Sequence, residues 1–313
     1  MKKKTLMMLL LALALLLCAC GSDHSDKKKD KDREEREEET EEKEEEETEE
    51  EEEEEPEIDY NFNDYDEKGE AIELEGNQYV PCIDGNDNKF VLVDVYSPDT
   101  VKETVEFGSE ELPVLLLRRF YATDATEYTV PEQILALGED CFTDCYDLAT
   151  LKLPEHMLNL GTGCFLGCRS LTEITLPEGI TRIPNATFRD CAGLTKLVIP
   201  EGVEVMGEYI IERCLELKEI QLPSTLITID NEAFANSGIT SLTMPDSVVS
   251  IGTRLVRSCK DLEEITFSAN TEFGDRDDFH QFFDNCPSLK AIHYKDQTWS
   301  DPESFLADIF GEN

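Results

Sequence analysis

Leu171-Thr172-Glu173-Ile174-Thr175-Leu176-Pro177-Glu178-Gly179-Ile180-Thr181-Arg182-Ile183-Pro184-Asn185-Ala186-Thr187-Phe188-Arg189-Asp190-Cys191 is one copy of a unit that recurs along the chain, and its period decides the fold. Prolines stand at Pro131, Pro154, Pro177, Pro200, Pro223 and Pro245, at spacings of 23, 23, 23, 23 and 22. Cysteines keep the same step: Cys145, Cys168, Cys191 and Cys214 are 23 apart, Ser237 takes the next place, Cys259 follows after 22 and Cys286 after 27. Self-similarity at such a period is the mark of a stacked repeat.

Each part of the unit has a local physical reading. Ile174 and Leu176 alternate with Thr175, which makes a short strand with both apolar side chains on one face, and Pro177 ends it because it cannot donate the next ladder hydrogen bond. Ile180 and Ile183 turn inward on the return leg. Phe188, Cys191 and Leu194, three apart, fit one face of a helical turn that closes the coil. A single copy cannot bury its own apolar face, but stacked copies share one continuous core. Strands counted from Tyr128–Val130 to Ala291–Tyr294 number eight, enclosing seven full repeats. Beyond them Trp299, Phe305, Leu306, Ile309 and Phe310 have the spacing of an amphipathic helix that caps the open end.

The unit I/L-x-L-P-x-x-V/I-x-x-I-G-x-x-A-F-x-x-C-x-x-L resembles the BspA-type leucine-rich repeat of bacterial surface proteins, over roughly residues 126–295. Ile211 and Val256 stand where the family has Phe, Ser237 where it has Cys, and Cys141 and Cys164 where small residues are usual; these read as core variation. The resemblance implies an α/β repeat solenoid: a curved, right-handed leucine-rich-repeat stack of short parallel strands with helical or 3-10 turns. It also implies adhesion or protein binding, without naming a ligand.

Outward from the repeats, residues 58–126 form an N-terminal cap or small β region. Ala71–Ile83 and Lys89–Tyr96 have strand character, and Asp84-Gly85-Asn86-Asp87-Asn88 between them reads as a hairpin turn. A calcium loop would need Gly at its sixth position and Glu at its twelfth, where Lys89 and Val95 stand. Pro113–Tyr121 is a further apolar run, part of the cap or a degenerate first repeat.

The first residues address the chain for export. Met1-Lys2-Lys3-Lys4 precedes an apolar run from Leu6 to Ala19, too short to span a bilayer and followed at once by polar residues. Leu17-Cys18-Ala19-Cys20-Gly21 resembles the lipobox of bacterial lipoproteins. That resemblance implies that residues 1–19 are removed and that Cys20 carries a diacylglyceryl anchor, whose two chains hold stably to a membrane where one would not. The expected location is the cell envelope, facing outside the cytoplasm. Residues 20–57 are then a disordered stalk, for a Glu tract from Glu34 to Glu57 has no apolar surface to offset the entropy of ordering.

The net charge of −43 divides into −13 over residues 1–57 (10 Lys/Arg against 23 Asp/Glu) and −30 over the rest (18 against 48). A chain this acidic repels phosphate backbones, which excludes nucleic-acid partners. Eleven cysteines in an exported chain raise the question of disulfides, but residues at one repeat position stack with parallel Cβ vectors, so the reading is buried free thiols acting as small hydrophobes. Cys141 with Cys145 and Cys164 with Cys168 have metal-like spacing, yet no nearby His completes a set, and no metal or other cofactor is expected. The four histidines, His24, His156, His280 and His293, lie in no HExxH motif, and no GxSxG or phosphate-binding glycine loop occurs. No catalytic residue is assigned, and an enzyme reading, an envelope hydrolase, survives only for residues 58–126.

A binding surface has a definite place. Residues alternating with the core pair line the open sheet face: Thr150 and Lys152, Glu173 and Thr175, Lys196 and Val198, Glu219 and Gln221, Ser241 and Thr243, Glu264 and Thr266. This strip is short-chained and mixed in charge, suited to a protein or glycan ligand. The competing reading is a structural spacer without a ligand. The inserted Asp275-Arg276-Asp277-Asp278 is a second candidate contact.

Overall fold

The computed structural model describes residues 59–74, 76–97, 114–274, 279 and 281–311. The signal segment, Cys20, the Glu-rich stalk, His24, His280 and the Asp275–Asp278 insertion lie outside the described residues.

Five strands precede the first repeat: β1 (Tyr65–Glu67), β2 (Ile72–Leu74), β3 (Asn77–Asp84), β4 (Lys89–Val95) and β5 (Val114–Phe120). β3 and β4 make the hairpin read from the sequence, with β1 and β2 pairing antiparallel to the far side of β3. Asp84 builds the turn: its carboxylate accepts from the backbone N–H groups of Asn61, Asn86 and Asn88 and from Asn88 Nδ2, at 2.8 to 3.0 Å. β4 then pairs parallel with β5, and β5 parallel with β7 (Ile134–Leu137) of the first repeat, across β6 (Glu127–Thr129) in the chain. The apolar run ending at Tyr121 therefore serves as a degenerate first coil whose sheet runs straight into the solenoid.

The strands read from the repeat form as β6, β8 (Thr150–Lys152), β9 (Glu173–Thr175), β11 (Lys196–Val198), β14 (Ser241–Thr243), β16 (Glu264–Thr266) and β17 (Ala291–Tyr294). The first four pair in parallel in one sheet and the last three in another, which β18 (Gln297–Trp299) closes antiparallel. The eighth expected strand does not form. Glu219–Gln221 is in no strand and its backbone makes no hydrogen bond among the described residues, so the row is split between β11 and β14. The break coincides with a shortened turn: Ser237 to Pro245 is eight residues, whereas Cys191 to Pro200 is nine. Gly238 closes that turn with its N–H on the Cys214 carbonyl at 3.0 Å.

The return legs make a second parallel row, β10 (Arg182–Ile183), β12 (Val205–Met206), β13 (Thr228–Ile229) and β15 (Ser250–Ile251), with single bridges at Ala136↔Asn159 and Ser250↔Glu272. The helical turns expected around Phe188 are chains of i→i−3 closures of the 3-10 kind, such as Cys141 N to Gly138 O, Thr143 N to Asp140 O and Cys145 N to Phe142 O. They do not extend into helices because two residues per turn, four apart, are left-handed: Asp140 and Asp144, Gly163 and Gly167, Ala186 and Asp190, Tyr209 and Arg213. Alternate N–H groups are thereby turned outward to the next coil, as Asp140, Phe142 and Asp144 donate to the carbonyls of Thr162, Cys164 and Leu166, each at 2.8 Å.

The core fills the space between these rows. Phe142, Phe165 and Phe188 stack at centroid distances of 5.9 and 5.3 Å, and Ile211, Phe234 and Val256 continue the position, all fully buried. At the end, α1 (Pro302–Phe310) is capped by Asp301, whose carboxylate accepts from Ser304 N at 2.9 Å, with Pro302 at its first turn. Phe305 packs against Trp299 and Phe267 and seals the core.

Coil spacing leaves no room at Gly161, where an added Cβ would overlap the Gly138 carbonyl and the Glu139 amide of the preceding coil. Gly161→Ala is expected to cost about 1–3 kcal/mol in denaturant unfolding, because backbone rather than a side chain must yield. For Asp84, partial desolvation pushes its carboxyl up, but the Asn88, Asn61 and Asn86 hydrogen bonds outweigh this and hold it down to about 2 against the ordinary 3.8. A depressed folded-state value stabilises above the ordinary value, and the contribution is lost as pH falls toward 2. Asp84→Ala should therefore lower the thermal midpoint at neutral pH, with the gap to the parent chain closing on acidification; a pH-independent gap would refute this account.

Candidate functional site

The sheet face displays the strip as alternation places it. Leu151, Ile174, Leu197, Leu242 and Ile265 are buried at the strand centres, while Thr150, Lys152, Glu173, Thr175, Lys196, Ser241, Thr243 and Glu264 are exposed and Val198 and Thr266 half-buried. Register lines Thr150, Glu173 and Lys196 up side by side, and puts Val198 beside Thr175. In the second sheet, Ser241 faces Glu264 and Thr243 faces Thr266. Thus the structure gathers six of the residues in one sheet and four in another. Glu219 and Gln221 are exposed but belong to neither sheet, for the strand that should carry them is missing.

The two patches differ in charge. The first carries Lys152 and Lys196 against Glu173 and, on the neighbouring β6, Glu127; Lys196 reaches Glu173 at 3.6 Å, and among the described residues no ion pair involves Lys152. Both members of the Lys196–Glu173 pair are more than half exposed, so solvent screens the contact and it adds little to stability. The second has Glu264 as its charged member, approached by His293 Nε2 at 3.1 Å, while His293 Nδ1 lies 2.8 Å from Thr298 Oγ1. His293 is thus tied into the sheet rather than aimed at an open site.

The cysteines are more than space-filling. All nine described, from Cys82 to Cys286, are free and buried. Five of the ladder thiols each donate to a carbonyl of the preceding coil: Cys168 to Phe142, Cys191 to Phe165, Cys214 to Phe188, Cys259 to Phe234 and Cys286 to Val256, at 3.1 to 3.3 Å. At the one exchanged position, Ser237 Oγ lies 3.5 Å from Cys259 Sγ. The cysteines are thus the buried free thiols that the sequence suggests, and the position adds a second role, a small side chain that can also donate. The 23-residue cysteine period was a signal for this, but the acceptor sits on another coil and no local pattern names it. Burial pushes the Cys82 and Cys145 thiols up to about 11 and the Cys286 thiol up to about 12. Thiolate, the nucleophilic and metal-binding form, is suppressed at every one of these.

Other groups are structural. Arg189 bonds Glu212 at 2.8 Å and Arg213 bonds Asp190 at 2.9 Å along the turn edge. Asn231 links neighbouring coils by donating to Glu208 Oε1 and accepting from Thr253 N, both at 2.8 Å. Among the described residues, no group of three or more His, Cys, Asp or Glu side chains converges as a metal site would require. An open cleft lined by Asn63, Leu158, Asn159, Gly161, Thr162 and Arg182 on the second row holds no carboxylate or imidazole.

The expected chemical consequence is that no thiol from Cys82 to Cys286 reacts with a disulfide reagent in the native chain near about pH 8, whereas all of them react once it is denatured. A thiol that titrates in the folded state would contradict the burial assigned to it.

The model of the BspA type leucine rich repeat region matches six copies, over residues 117–238 and 181–305. No curated protein matches the chain. Among solved structures, the leucine-rich repeat protein TpLRR of T. pallidum is similar at 15% identity, covering 72% of this chain and 83% of that one with a TM-score of 0.43. A leucine-rich repeat protein from Bacteroides ovatus is similar at 19% identity, covering 76% and 71%, with a TM-score of 0.41. The pneumococcal vaccine antigen PcpA is similar at 15% identity, covering 76% and 93%, with a TM-score of 0.40.

Proposed function

The chain belongs to the BspA type leucine rich repeat family, and from that premise we propose that it is a non-catalytic binding module displayed at the cell surface. Its ligand is a protein or glycan, and its binding face is the sheet strip. The observation that carries this reading is the contrast between strip and surroundings. The exposed side chains of the first sheet carry two lysines, Lys152 and Lys196, against two glutamates, Glu127 and Glu173, within a region whose net charge is −30. An acidic solenoid that was only a spacer has no reason to keep a nearly neutral, short-chained face on its most regular sheet. The missing strand at Glu219–Gln221 divides that face, so the first patch, centred on Lys152, Glu173 and Lys196, is the main contact.

Display at the surface rests in this proposal on the lipobox-like Leu17-Cys18-Ala19-Cys20 and the Glu-rich stalk that follows. Acylated at Cys20, the chain is held to the membrane by two lipid chains. A nucleic-acid partner is disfavoured by charge, because a net of −43 repels phosphate backbones.

A binding screen of the chain against matrix proteins, bacterial surface proteins and glycans, with a charge-matched acidic protein as control, should give a saturable hit. Combined Lys152→Ala and Lys196→Ala substitution is expected to weaken it at least about tenfold, whereas Gln221→Ala alone leaves it near the parent value. No hit above the control would favour the spacer. Cys20→Ala is expected to abolish palmitate incorporation and to release the chain from the membrane fraction.

A further inference from the structure

One surface feature lies apart from the strip and is used by nothing described above. Tyr96, just past the end of β4, and Tyr121, just past the end of β5, stack with centroids 4.5 Å apart and planes 6° from parallel. Both are about half exposed, at 52% and 47%, on a surface otherwise crowded with charge. Their mutual placement is fixed by the backbone, where Tyr121 N donates to the carbonyl of Val95, adjacent to Tyr96, at 2.6 Å. Stacking covers one face of each ring, and the exposed remainder is a rigid aromatic platform ready before any ligand arrives. Two rings held this way lose little conformational entropy on binding, which is what makes tyrosine effective at contact surfaces.

The platform has a polar neighbour built with equal rigidity. Asp94, in β4 and two residues before Tyr96, is buried with a side chain only 3% exposed. It takes a two-point ion pair from Arg118, with Nε to Oδ1 at 3.0 Å and Nη2 to Oδ2 at 2.6 Å. Arg118 also donates from Nη1 to Glu67 at 3.3 Å, and its side chain remains one-third exposed. Among the described residues Arg118 makes three guanidinium hydrogen bonds, which leaves N–H groups of its fork for a further acceptor, and the half-exposed Glu67 carboxylate has acceptor capacity beyond this one bond. The charged groups acting on the Tyr96 hydroxyl are Asp94, Arg118 and Glu73, beside Tyr121 itself. One small area therefore combines flat aromatic faces with a fixed donor and fixed acceptors.

We infer that Tyr96 and Tyr121 form a stacking platform for a neutral oligosaccharide, with Arg118 and Glu67 hydrogen-bonding the sugar hydroxyls. A pyranose presents a face of C–H groups that packs on an aromatic ring and a rim of hydroxyls that needs both donors and acceptors. A planar, half-apolar, half-polar site matches that division. Anionic glycans are disfavoured, because among the described residues Glu67, Glu73 and Asp94 place three carboxylates against one guanidinium here. This site is independent of the strip, so neither stands or falls with the other.

The test uses the full chain against neutral hexose oligosaccharides (cello-, laminari- and manno-pentaose), with heparin as the anionic comparison, by calorimetric titration. At least one neutral probe is expected to bind, and Tyr96→Ala with Tyr121→Ala to weaken it at least about tenfold. Tyr96→Phe with Tyr121→Phe, which keeps the rings, should retain binding within a few fold, as should Lys152→Ala with Lys196→Ala, which touches only the strip. A far-ultraviolet spectrum and thermal midpoint unchanged in the alanine variant separate loss of the platform from loss of the fold. The inference is overturned if no neutral probe binds, if heparin binds in preference, or if a folded alanine variant binds as well as the parent.

Discussion

A coil of some two dozen residues can satisfy neither its own backbone nor its own apolar side chains, and everything else in this protein follows from how neighbouring coils supply what each one lacks. Three sets of hydrogen bonds run from coil to coil: the strip sheets, the second row of two-residue strands, and the turn edge. The turn edge is the least conventional. There, left-handed residues such as Asp140 and Asp144 rotate alternate N–H groups outward, and the next coil provides the carbonyls. The thiol ladder serves the same end from inside, since five of its cysteines, from Cys168 to Cys286, each donate to a carbonyl of the coil before while filling the core.

Stacking of this kind leaves two open ends, and the protein closes each with a different device. At the N-terminal end the hairpin of β3 and β4 extends the second row, so that the cap is more sheet and its inner residues Val91, Val93 and Leu117 join the main core. At the C-terminal end the antiparallel β18 stops the strip sheet and the short helix α1 packs its Phe305 on Phe267, so that the last phenylalanines of the core are buried. The outer side of the N-terminal sheet carries its own smaller core around Phe62, Phe90 and Leu92. It is at the edge of this cap that the Tyr96 and Tyr121 stack and the Asp94–Arg118 pair lie. The cap thus does two things: it seals the solenoid and it offers a surface that no repeat could offer, because repeats impose the same residue classes on every coil.

The charge pattern sorts surfaces by use. Carboxylates along the turn edge are matched by arginines, as in the Arg189–Glu212 and Arg213–Asp190 pairs, so that part of the −30 is absorbed locally. The strip is instead held near neutrality by residue choice, with Thr, Ser and Val spacing out a few charges of both signs.

By itself the sequence determined that this is a parallel repeat stack, where its strands alternate and which side chains face inward, because periods of 23 residues along the chain and of two along each strand are properties of order alone. Pro177 and its equivalents, the buried Phe, Cys and Leu positions, the Asp84 hairpin and the terminal helix were all legible in that way. Only the tertiary structure decided what depends on a partner in another coil. The loss of the Glu219–Gln221 strand arises across coils, next to a turn shortened by one residue. The thiol donors find their acceptors 25 to 30 residues away. The left-handed turn residues include Ala186, Tyr209 and Arg213, whose types do not announce that conformation. Tyr96 and Tyr121 stand 25 positions apart with nothing between them to predict a stack; the parallel pairing of β4 with β5 brings them together. Periodicity fixes what each residue does within its own turn of chain, and contact between turns is what registers, breaks or joins the pieces.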